Sequence, residues 1–531
     1  MAQNFLAYDQ DQQYLMPPSL REWLPEGHLA WFVLDAVAQM DLSAFYGRYR
    51  HDGRGRAAYE PQMMVALILY SYCLGERSTR GIERRLGEDV AYRVIGANQR
   101  PDHATIARFR AEHEQALAGL FGEILRLCAG AGMLKVGVVA IDGTKMAASA
   151  SLSANRTKDA IEADIRRYLK EAAEIDAVED ALYGEGVRGD ELPPELCDRT
   201  SRLARLKEAK RRMDAEDAAR EKAHEDRIAE RERFERERGK KLRGRRPKPP
   251  ARDPLATANT TDPGSRIMKS RQGYLQGYNA QAAVSADQII LAAELIQKAN
   301  DVAELHPMIA ATEQSLYEAG IASPIGTVLA DAGYFSDANL SDASPEGPEL
   351  LIATTTGWKQ RKAAREQGAP RGRIPTDMPA RERMERALLT KRGQALYRMR
   401  GQSVEPVFGQ IKEPRRIRRF MRRGLSACES EWKLIAATHN LLKLFRHGPG
   451  EPGRVRRRLP NQDDASWRKE PPPRCLPRGS IPTSCASARS VWSLSPAGRS
   501  PTSLAIWAST TRPCANGCDK QRPTPAPAAI A

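Results

Sequence analysis

The chain of 531 residues is 41% hydrophobic, so it is long and apolar enough to bury the cores of roughly two to four domains. Its formal net charge of +16 favours a polyanionic partner, most often nucleic acid, over general basic solubility. The eight cysteines form no CxxC pair and no apolar run approaches the ~18 residues of a membrane span, so we expect a cytoplasmic protein without disulfides, a zinc ribbon or a membrane association.

The first segment, residues 1–133, is predicted to be a helical N-terminal domain. Tyr59-Glu60-Pro61 introduces an apolar helix over residues 63–74, and Ser78 is placed to cap the helix that follows. Arginines, among them Arg108, recur along these short helices. The pattern favours a compact domain of helix-turn-helix type that contacts DNA, and a basic surface that is simply solvated is the alternative.

Strand character follows. Residues 134–155 are predicted to supply the first part of an α/β core, because they contain a short apolar run that ends in Asp142. Residues 156–250 are predicted to be a charged helical insertion, since residues 199–246 are nearly all Glu, Arg, Lys, Asp and Ala. Such a segment cannot form a core alone. It is either a solvated spacer or a surface that contacts DNA or a partner.

Residues 251–447 are predicted to complete the α/β core. A hairpin is expected around Ser285-Ala286-Asp287, and a later apolar strand leads into Asp331. A new helix is expected to begin at Glu405, with Pro406 in its first turn, where the missing N–H costs nothing.

The last segment, residues 448–531, is rich in Pro, Ser, Arg and Ala and lacks sustained periodicity, so it is predicted to be disordered. We hypothesise that it comes from translation run-on or from a shifted reading frame. A comparison of the 3′ end of the gene with intact relatives tests this hypothesis.

The predicted helix at Glu405 leads into a cationic patch. Lys412 lies seven residues after Glu405, about two helical turns on, so the two side chains share a face. The six arginines within the next eleven residues are Arg415, Arg416, Arg418, Arg419, Arg422 and Arg423. A carboxylate, a lysine and an arginine cluster on one element favour a metal-assisted site that acts on a polyanion.

Three acidic residues, Asp142, Asp331 and Glu405, stand at the ends of predicted elements. Strand ends and the neighbouring helix converge on one site in an α/β sheet, where three carboxylates would repel one another without cations between them. Mg²⁺ suits such a site because it accepts a few carboxylates, substrate phosphate and water. Two such ions roughly 3.5–4 Å apart can activate a water or a 3′-hydroxyl. For each aspartate alone, a turn or a helix cap is the alternative.

Rival catalytic motifs are weak. The sequence has no GxxxxGK[ST] motif and no GxSxG motif, which argues against a P-loop NTPase and a serine hydrolase. His224-Glu225-Asp226-Arg227 spells part of a tyrosine-recombinase pattern, but it lies in the charge-rich insertion, where such matches arise by chance. His439 is expected to be packed or exposed and not a metal ligand. The acidic triad is therefore the preferred catalytic hypothesis.

Several motifs along residues 5–447 are specific when they are taken together. They are Tyr14-Leu15-Met16-Pro17-Pro18-Ser19-Leu20, Pro101-Asp102-His103-Ala104-Thr105-Ile106-Ala107-Arg108-Phe109-Arg110, Ile141-Asp142-Gly143-Thr144-Lys145, Gly277-Tyr278-Asn279-Ala280-Gln281, Ala330-Asp331-Ala332-Gly333-Tyr334 and residues 404–412. With these motifs the chain resembles the DDE transposases of bacterial insertion sequences, in the branch with a helical N-terminal domain and a long charged insertion after the first Asp.

The resemblance implies an α/β fold with an RNase H-like catalytic core, a helical N-terminal domain and a charged helical insertion. It implies that Asp142, Asp331 and Glu405 are both the catalytic residues and the metal ligands. The implied cofactor is Mg²⁺, with Mn²⁺ as a substitute. Lys412 is implied to contact DNA near the scissile phosphate.

A related signature places a Tyr and an Arg before the Glu, and Tyr397 and Arg400 nearly match it. The gap between Arg400 and Glu405 is one residue too long, so helix packing and surface charge remain the alternative for Tyr397 and Arg400. The expected DNA contacts are Lys412, Arg415, Arg416, Arg418, Arg419, Arg400, Lys145 and Arg108.

The resemblance implies an enzyme that cuts DNA at the ends of a mobile element and joins the freed 3′-hydroxyl to target DNA. The expected partners are double-stranded DNA, as terminal inverted repeats and as target, and a second copy of the chain in a homodimer on DNA. We expect a location at the bacterial nucleoid. A metal-dependent nuclease without strand transfer and a DNA-binding remnant of a decayed element are the alternatives.

Overall fold

The structure, a computed structural model, describes residues 19–49, 57–183, 194–242, 244–249, 256–270, 273–355, 357–368, 372–375 and 377–447. The predicted disordered tail, residues 448–531, lies outside this part of the chain. Among the described residues, no helix combines the length and the apolar composition needed to cross a bilayer.

The N-terminal region is helical, as its apolar spacing predicts. Its helices are α1 (Leu29–Val37), α2 (Ser43–Tyr46), α3 (Pro61–Cys73), α4 (Thr79–Glu88), α5 (Val90–Ile95), α6 (His103–Glu112) and α7 (Glu114–Gly130). Helix α3 is buried on nearly all sides because its sequence is apolar all round. Ser78 caps α4 as predicted, because its Oγ accepts a hydrogen bond of 3.3 Å from the backbone N–H of Gly81.

The strands form one central sheet and one small pair. They are β1 (Val138–Ala147), β2 (Asn155–Thr157), β3 (Thr257–Asn259), β4 (Arg266–Ser270), β5 (Gly273–Ser285), β6 (Ile290–Ile296), β7 (Thr327–Ala330) and β8 (Glu349–Ile352). The central sheet has the order β4–β5–β1–β7–β8, and β6 also pairs with β5. Strand β5 is antiparallel to β1, β4 and β6, whereas β7 and β8 run parallel to β1. Strand β7 is an apolar run buried on both faces, as parallel strands usually are.

The remaining helices cover the sheet or extend from it. They are α8 (Lys158–Tyr183), α9 (Pro194–Arg238), α10 (Leu305–Glu318), α11 (Asp337–Ser341), α12 (Trp358–Gln367), α13 (Ala380–Leu389), α14 (Lys391–Lys412) and α15 (Leu425–His447). Helices α8 and α9 are the long charged helices of the insertion, and their contact holds a small apolar cluster around Ile161, Leu206 and Met213.

Helix α15 joins the N-terminal helices to the sheet, since it packs against α3, α7 and β6. Trp432 on α15 is fully buried, and its Nε1 donates a hydrogen bond of 2.9 Å to the carbonyl oxygen of Gln281 on β5. The buried apolar side chains of the N-terminal helices, the sheet and α15 form one continuous cluster. The domain boundary predicted at residue 133 stays a prediction, because the cores on its two sides are continuous.

Helix α14 corrects one prediction from the sequence. Glu405 does not begin a helix, because α14 runs from Lys391 to Lys412 with Pro406 in its interior. A proline there removes the N–H that would bond the carbonyl oxygen of Gln402, four residues earlier. The side-chain Nε2 of Gln288, in the turn between β5 and β6, donates to that oxygen at 2.8 Å. The helix therefore continues through the proline.

Gln288 also ties the turn to α15. The backbone of Gln288 has a φ of 64°, in the left-handed region. Its carbonyl oxygen lies 3.0 Å from Nε2 of His439, and its Oε1 accepts a hydrogen bond of 2.6 Å from Nζ of Lys443. His439 is thus buried and packed, which was one of the two outcomes expected from the sequence, and burial lowers its pKa to about 3.

Candidate active site

Two of the predicted acids lie beside each other at the centre of the sheet. The sequence predicted that Asp142 ends β1, which is wrong, because pairing with β5 extends the strand to Ala147. Asp331 follows the last residue of β7, as predicted. Ala140 pairs with Leu329 across the parallel strands, so the same register two residues further on sets Asp142 beside Asp331.

Arg400 connects these aspartates to Glu405. Its Nη2 lies 2.7 Å from Oδ2 of Asp142 and 3.9 Å from Oδ2 of Asp331. Its Nη1 lies 3.2 Å from Oε1 of Glu405. One guanidinium, on a side chain that is only 13% exposed, therefore contacts all three predicted acids. Surface charge, the alternative interpretation of Arg400 from the sequence, does not describe this position.

The electrostatics of this cluster favour a further cation. Burial raises the pKa of Asp142 to about 6; Arg400 opposes that shift, and Asp331 adds to it. Burial alone would lower the pKa of Arg400, but the surrounding carboxylates and Tyr397 raise it overall. When ionised, three carboxylates against one guanidinium leave a net negative charge.

Two lysines lie on opposite faces of β1. Lys412 of α14 contacts Thr144, and the side chain of the next residue, Lys145, points to the other face because side chains alternate along a strand. Nζ of Lys412 donates to Oγ1 of Thr144 at 2.5 Å and to the carbonyl oxygen of Lys145 at 3.2 Å. Lys145 points to the other face, where its Nζ donates to the carbonyl oxygen of Ala299 at 2.7 Å. Burial lowers the pKa of both lysines. Both ammonium groups are held close to the backbone that carries Asp142.

The sequence analysis quoted Asn279 and Gln281 in the motif over residues 277–281 but assigned them no role, and it missed Asp301. Asn279 and Gln281 on β5 are fully buried, and both donate to Oδ1 of Asp301, at 2.5 and 2.7 Å. Asp301 lies in the loop between β6 and α10. Polar residues two apart in an otherwise apolar strand were a usable signal for Asn279 and Gln281, whereas Asp301 follows an ordinary turn pattern and gave none.

Two segments of the chain match models of protein families. Residues 18–112 match a family described as a transposase domain (DUF772), and residues 361–445 match one described as a transposase DDE domain. Both matches support a DDE transposase of insertion-sequence type. The resemblance inferred from the sequence motifs is thereby confirmed. No match was found among curated proteins or among solved structures.

The two matches cover the candidate site unequally. The DDE segment contains Arg400, Glu405 and Lys412, whereas Asp142 and Asp331 lie outside both matched segments. The roles of these residues in catalysis therefore stay predictions. They rest on the convergence of the three carboxylates around one guanidinium.

Arg415 is buried, so its predicted contact with DNA is wrong. Its Nη2 and Nε donate to the carbonyl oxygen of Tyr72 on α3, at 2.9 and 3.2 Å, and its Nη1 donates to that of Ile435 on α15, at 3.1 Å. Burial lowers the pKa of Arg415 to about 10. Its guanidinium satisfies carbonyl groups between two helices and cannot reach a phosphate.

Apart from Arg400, the other arginines that were predicted to contact DNA face the solvent. Arg416, Arg418 and Arg419 are exposed in the arginine loop, which we define as residues 413–424 between α14 and α15. Arg418 pairs with Glu413 at 2.7 Å, an exposed pair that contributes little to stability. Arg108 is exposed on α6 and lines a cleft of about 510 Å³. These positions are compatible with phosphate contacts.

The arginine loop has a fixed path beside the catalytic sheet. The backbone N–H of Phe420 donates to the carbonyl oxygen of Ala147, at the end of β1, at 2.8 Å. The buried carboxylate of Glu431 on α15 accepts from the backbone N–H groups of Met421 and Arg422. Arg77, from the N-terminal helices, pairs with the same carboxylate at 2.8 Å. The loop is thus anchored to both matched parts of the chain.

The carboxylates have the donor chemistry that hard divalent cations prefer. Transposase DDE domains typically use divalent metal ions. With the acids gathered around Arg400, no group of three or more Asp, Glu, His or Cys side chains in the described residues is spaced to hold a metal ion. The buried Oδ1 of Asn279, on the face of the sheet opposite Asp142, has no hydrogen-bond partner among these residues.

Proposed function

We propose that this transposase cleaves DNA at the ends of its element and transfers the freed strand into target DNA, and that Asp142, Asp331 and Glu405 carry the chemistry. We further propose that the sheet is an RNase H-like core. The strand order supports this proposal, because three antiparallel strands (β6, β5 and β1) are followed by two parallel ones (β7 and β8). The observation that carries the proposal is the contact of one guanidinium with all three acids.

Once the guanidinium of Arg400 leaves the space between them, the three carboxylates would hold the divalent cation, for which we propose Mg²⁺ with Mn²⁺ as a substitute. When bound, the cation supplies Lewis acidity for phosphodiester hydrolysis and transfer. Arg400 and Lys412 lie on the helix side of β1 and would bind the non-bridging oxygens of the scissile phosphate. Lys145 would bind the phosphate backbone of the DNA from the opposite face of β1. The short contacts of both lysines with backbone oxygens fix their positions before DNA arrives.

Membership of the transposase family implies a DNA substrate. We propose that the N-terminal helices, including Arg108, recognise the terminal inverted repeats, and that the exposed arginines of the arginine loop bind the phosphate backbone. Binding should then weaken steeply with salt, since each neutralised phosphate releases counterions. Two ends must be joined in one reaction, so we propose a homodimer assembled on DNA at the bacterial nucleoid.

The test uses labelled end DNA, Mg²⁺ and a target plasmid. Wild-type protein is expected to give joined products, and Asp142→Asn, Asp331→Asn and Glu405→Gln are each expected to abolish them while they retain DNA binding. Glu382→Gln, a carboxylate change on the exposed face of α13, is the matched control and should stay active. Cleavage without joining would point to a nuclease, and binding without chemistry to a decayed enzyme.

A further inference from the structure

We infer that Asp301 is a positioning residue for DNA binding, which holds the ammonium group of Lys145 against the site on the far face of β1. The inference rests on the proposed function, because it names a residue that sets the geometry of a DNA contact. Asp301 belongs to none of the motifs that identify the family in the sequence.

The hydrogen bonds of Asp301 form a small fixed network. Its Oδ1 accepts from the side chains of Asn279 and Gln281, which are fully buried, and lies 3.8 Å from Nζ of Lys145. A carboxylate that accepts two amide donors is confined more tightly than one exposed to water. Lys145 gains a second anchor from the carbonyl oxygen of Ala299, two residues before Asp301. Its ammonium group is thereby fixed at one place.

The network reaches the backbone beside both predicted catalytic aspartates. A Cβ atom added to Gly143, next to Asp142, would lie 2.8 Å from Oδ1 of Asp301. A Cβ atom added to Gly333, two residues after Asp331, would lie 3.6 Å from Oδ2 of Asp301. The carboxylate of Asp301 therefore fills the space beside Gly143 and Gly333. Glycine is required at position 143 for this close approach.

The network also continues into the loop after β7. The hydroxyl of Tyr334, three residues after Asp331, donates to Oε1 of Gln281. Gln281 in turn donates to Asp301, so one chain of hydrogen bonds links the Asp331 loop, β5 and the loop that holds Lys145. Strand β7 ends at Ala330, so the part of β1 that carries Lys145 lies beyond the β7 pairing. A phosphate at this edge of the sheet would meet an ammonium group in a fixed place.

The sign of one change separates this role from simple charge. Asp301→Asn removes a negative charge near DNA, and charge alone would therefore strengthen binding. A positioning role predicts the opposite, because the amide of Asn can still accept from Asn279 and Gln281 but carries no charge to hold the ammonium group of Lys145. We expect the affinity for end DNA, measured by fluorescence anisotropy in EDTA, to fall about 3- to 10-fold.

The matched control is Asp287→Asn. Asp287 also pairs with a lysine, Lys135, at 3.0 Å, but it lies in the exposed turn between β5 and β6. This variant should bind DNA as well as the wild type or slightly better. Lys145→Gln should weaken binding to the same extent as Asp301→Asn, and the double variant should bind no more weakly than either single variant.

Binding that rises or stays constant in Asp301→Asn, or losses that add in the double variant, would overturn the inference. If Asp301→Asn does not fold, as judged by circular dichroism, Asp301→Glu replaces it. That variant keeps the charge but moves the carboxylate, so wild-type affinity would count against positioning and weakened affinity would support it. Wild-type protein that binds DNA without joining it contradicts the proposed function alone, whereas absent DNA binding by the wild type contradicts both.

Discussion

Arg400→Gln removes the guanidinium that contacts all three acids of the proposed triad, and it should have two effects in the absence of DNA. The metal-free protein should lose stability, because the carboxylates then repel one another without a counter-charge. Divalent cations should bind more tightly, because the space between the carboxylates no longer holds a positive charge. A residue that only contacts DNA would produce neither effect.

The cation effect can be sized from the distances. Charges of +1 and +2 roughly 4 Å apart repel by ~8 kcal/mol at an effective dielectric constant of about 20. Asp331 is 41% exposed and Glu405 is 60% exposed, so solvent screens much of this repulsion, and the long side chain of Arg400 can also move away. We expect binding to tighten about 10- to 100-fold, which is ~1.4–2.8 kcal/mol. The free energy of unfolding should fall by about 1–3 kcal/mol, less than for a fully buried pair.

Isothermal titration of the DNA-free protein with MgCl₂ or MnCl₂ measures the first effect, and urea denaturation measures the second. Arg398→Gln is the matched control, because Arg398 lies on the same helix with its side chain exposed. The gain in cation affinity should disappear when Asp142→Asn is added. An affinity that is unchanged or weaker in Arg400→Gln, relative to Arg398→Gln, would refute the view that Arg400 competes with a cation.

Three further changes test other parts of the structure. The pKa of Asp142 is raised to about 6, so its ionisation destabilises the fold as pH rises from about 4 through 6; metal-free Asp142→Asn should therefore gain roughly 2–3 kcal/mol relative to wild type between pH 4 and pH 8 in urea denaturation. Arg415→Gln should lower the free energy of unfolding by about 3–5 kcal/mol, which thermal denaturation would show as a strongly lowered melting temperature. Arg416→Gln should leave the melting temperature unchanged and weaken DNA binding, measured by fluorescence anisotropy. Gln288→Ala should cost about 1–3 kcal/mol in chemical denaturation, because it leaves the carbonyl oxygen of Gln402 without its donor.

The position of Asp331 after a buried strand could be predicted because it depends on local pattern. The apolar run before Asp331 has the length and composition of a buried parallel strand, and it forms β7. The turn at Ser285-Ala286-Asp287 joins two strands as the hairpin pattern indicated. Local pattern also ended β1 too early, because Gly143 looks like a turn residue but is needed for close packing against Asp301.

The helix boundary at Glu405 could not be predicted, because a distant residue decides it. Pro406 normally begins or breaks a helix, and a prediction from the sequence alone must follow that rule. The donor that replaces the missing N–H comes from Gln288, 114 residues before Gln402. Burial of Arg415 has the same kind of cause, since its acceptors lie on α3 and α15. Nothing within the arginine cluster itself separates Arg415 from its exposed neighbours.

Arg400 contacts Glu405 although the spacing between them differs from that of the related signature. Five residues along an α-helix leave two Cα atoms about 140° apart around the axis, whereas four residues leave them about 40° apart. The spacing of the related signature is therefore lost, yet the guanidinium still lies 3.2 Å from Glu405. The long side chain of Arg400 extends to Asp142 on β1, where its Nη2 lies 2.7 Å from the carboxylate, and in this position its Nη1 contacts Glu405. A charge cluster between two elements needs only carboxylates within reach of a long side chain. It therefore tolerates a change of one residue in the spacing of Arg400 and Glu405, which a sequence motif counts as a mismatch.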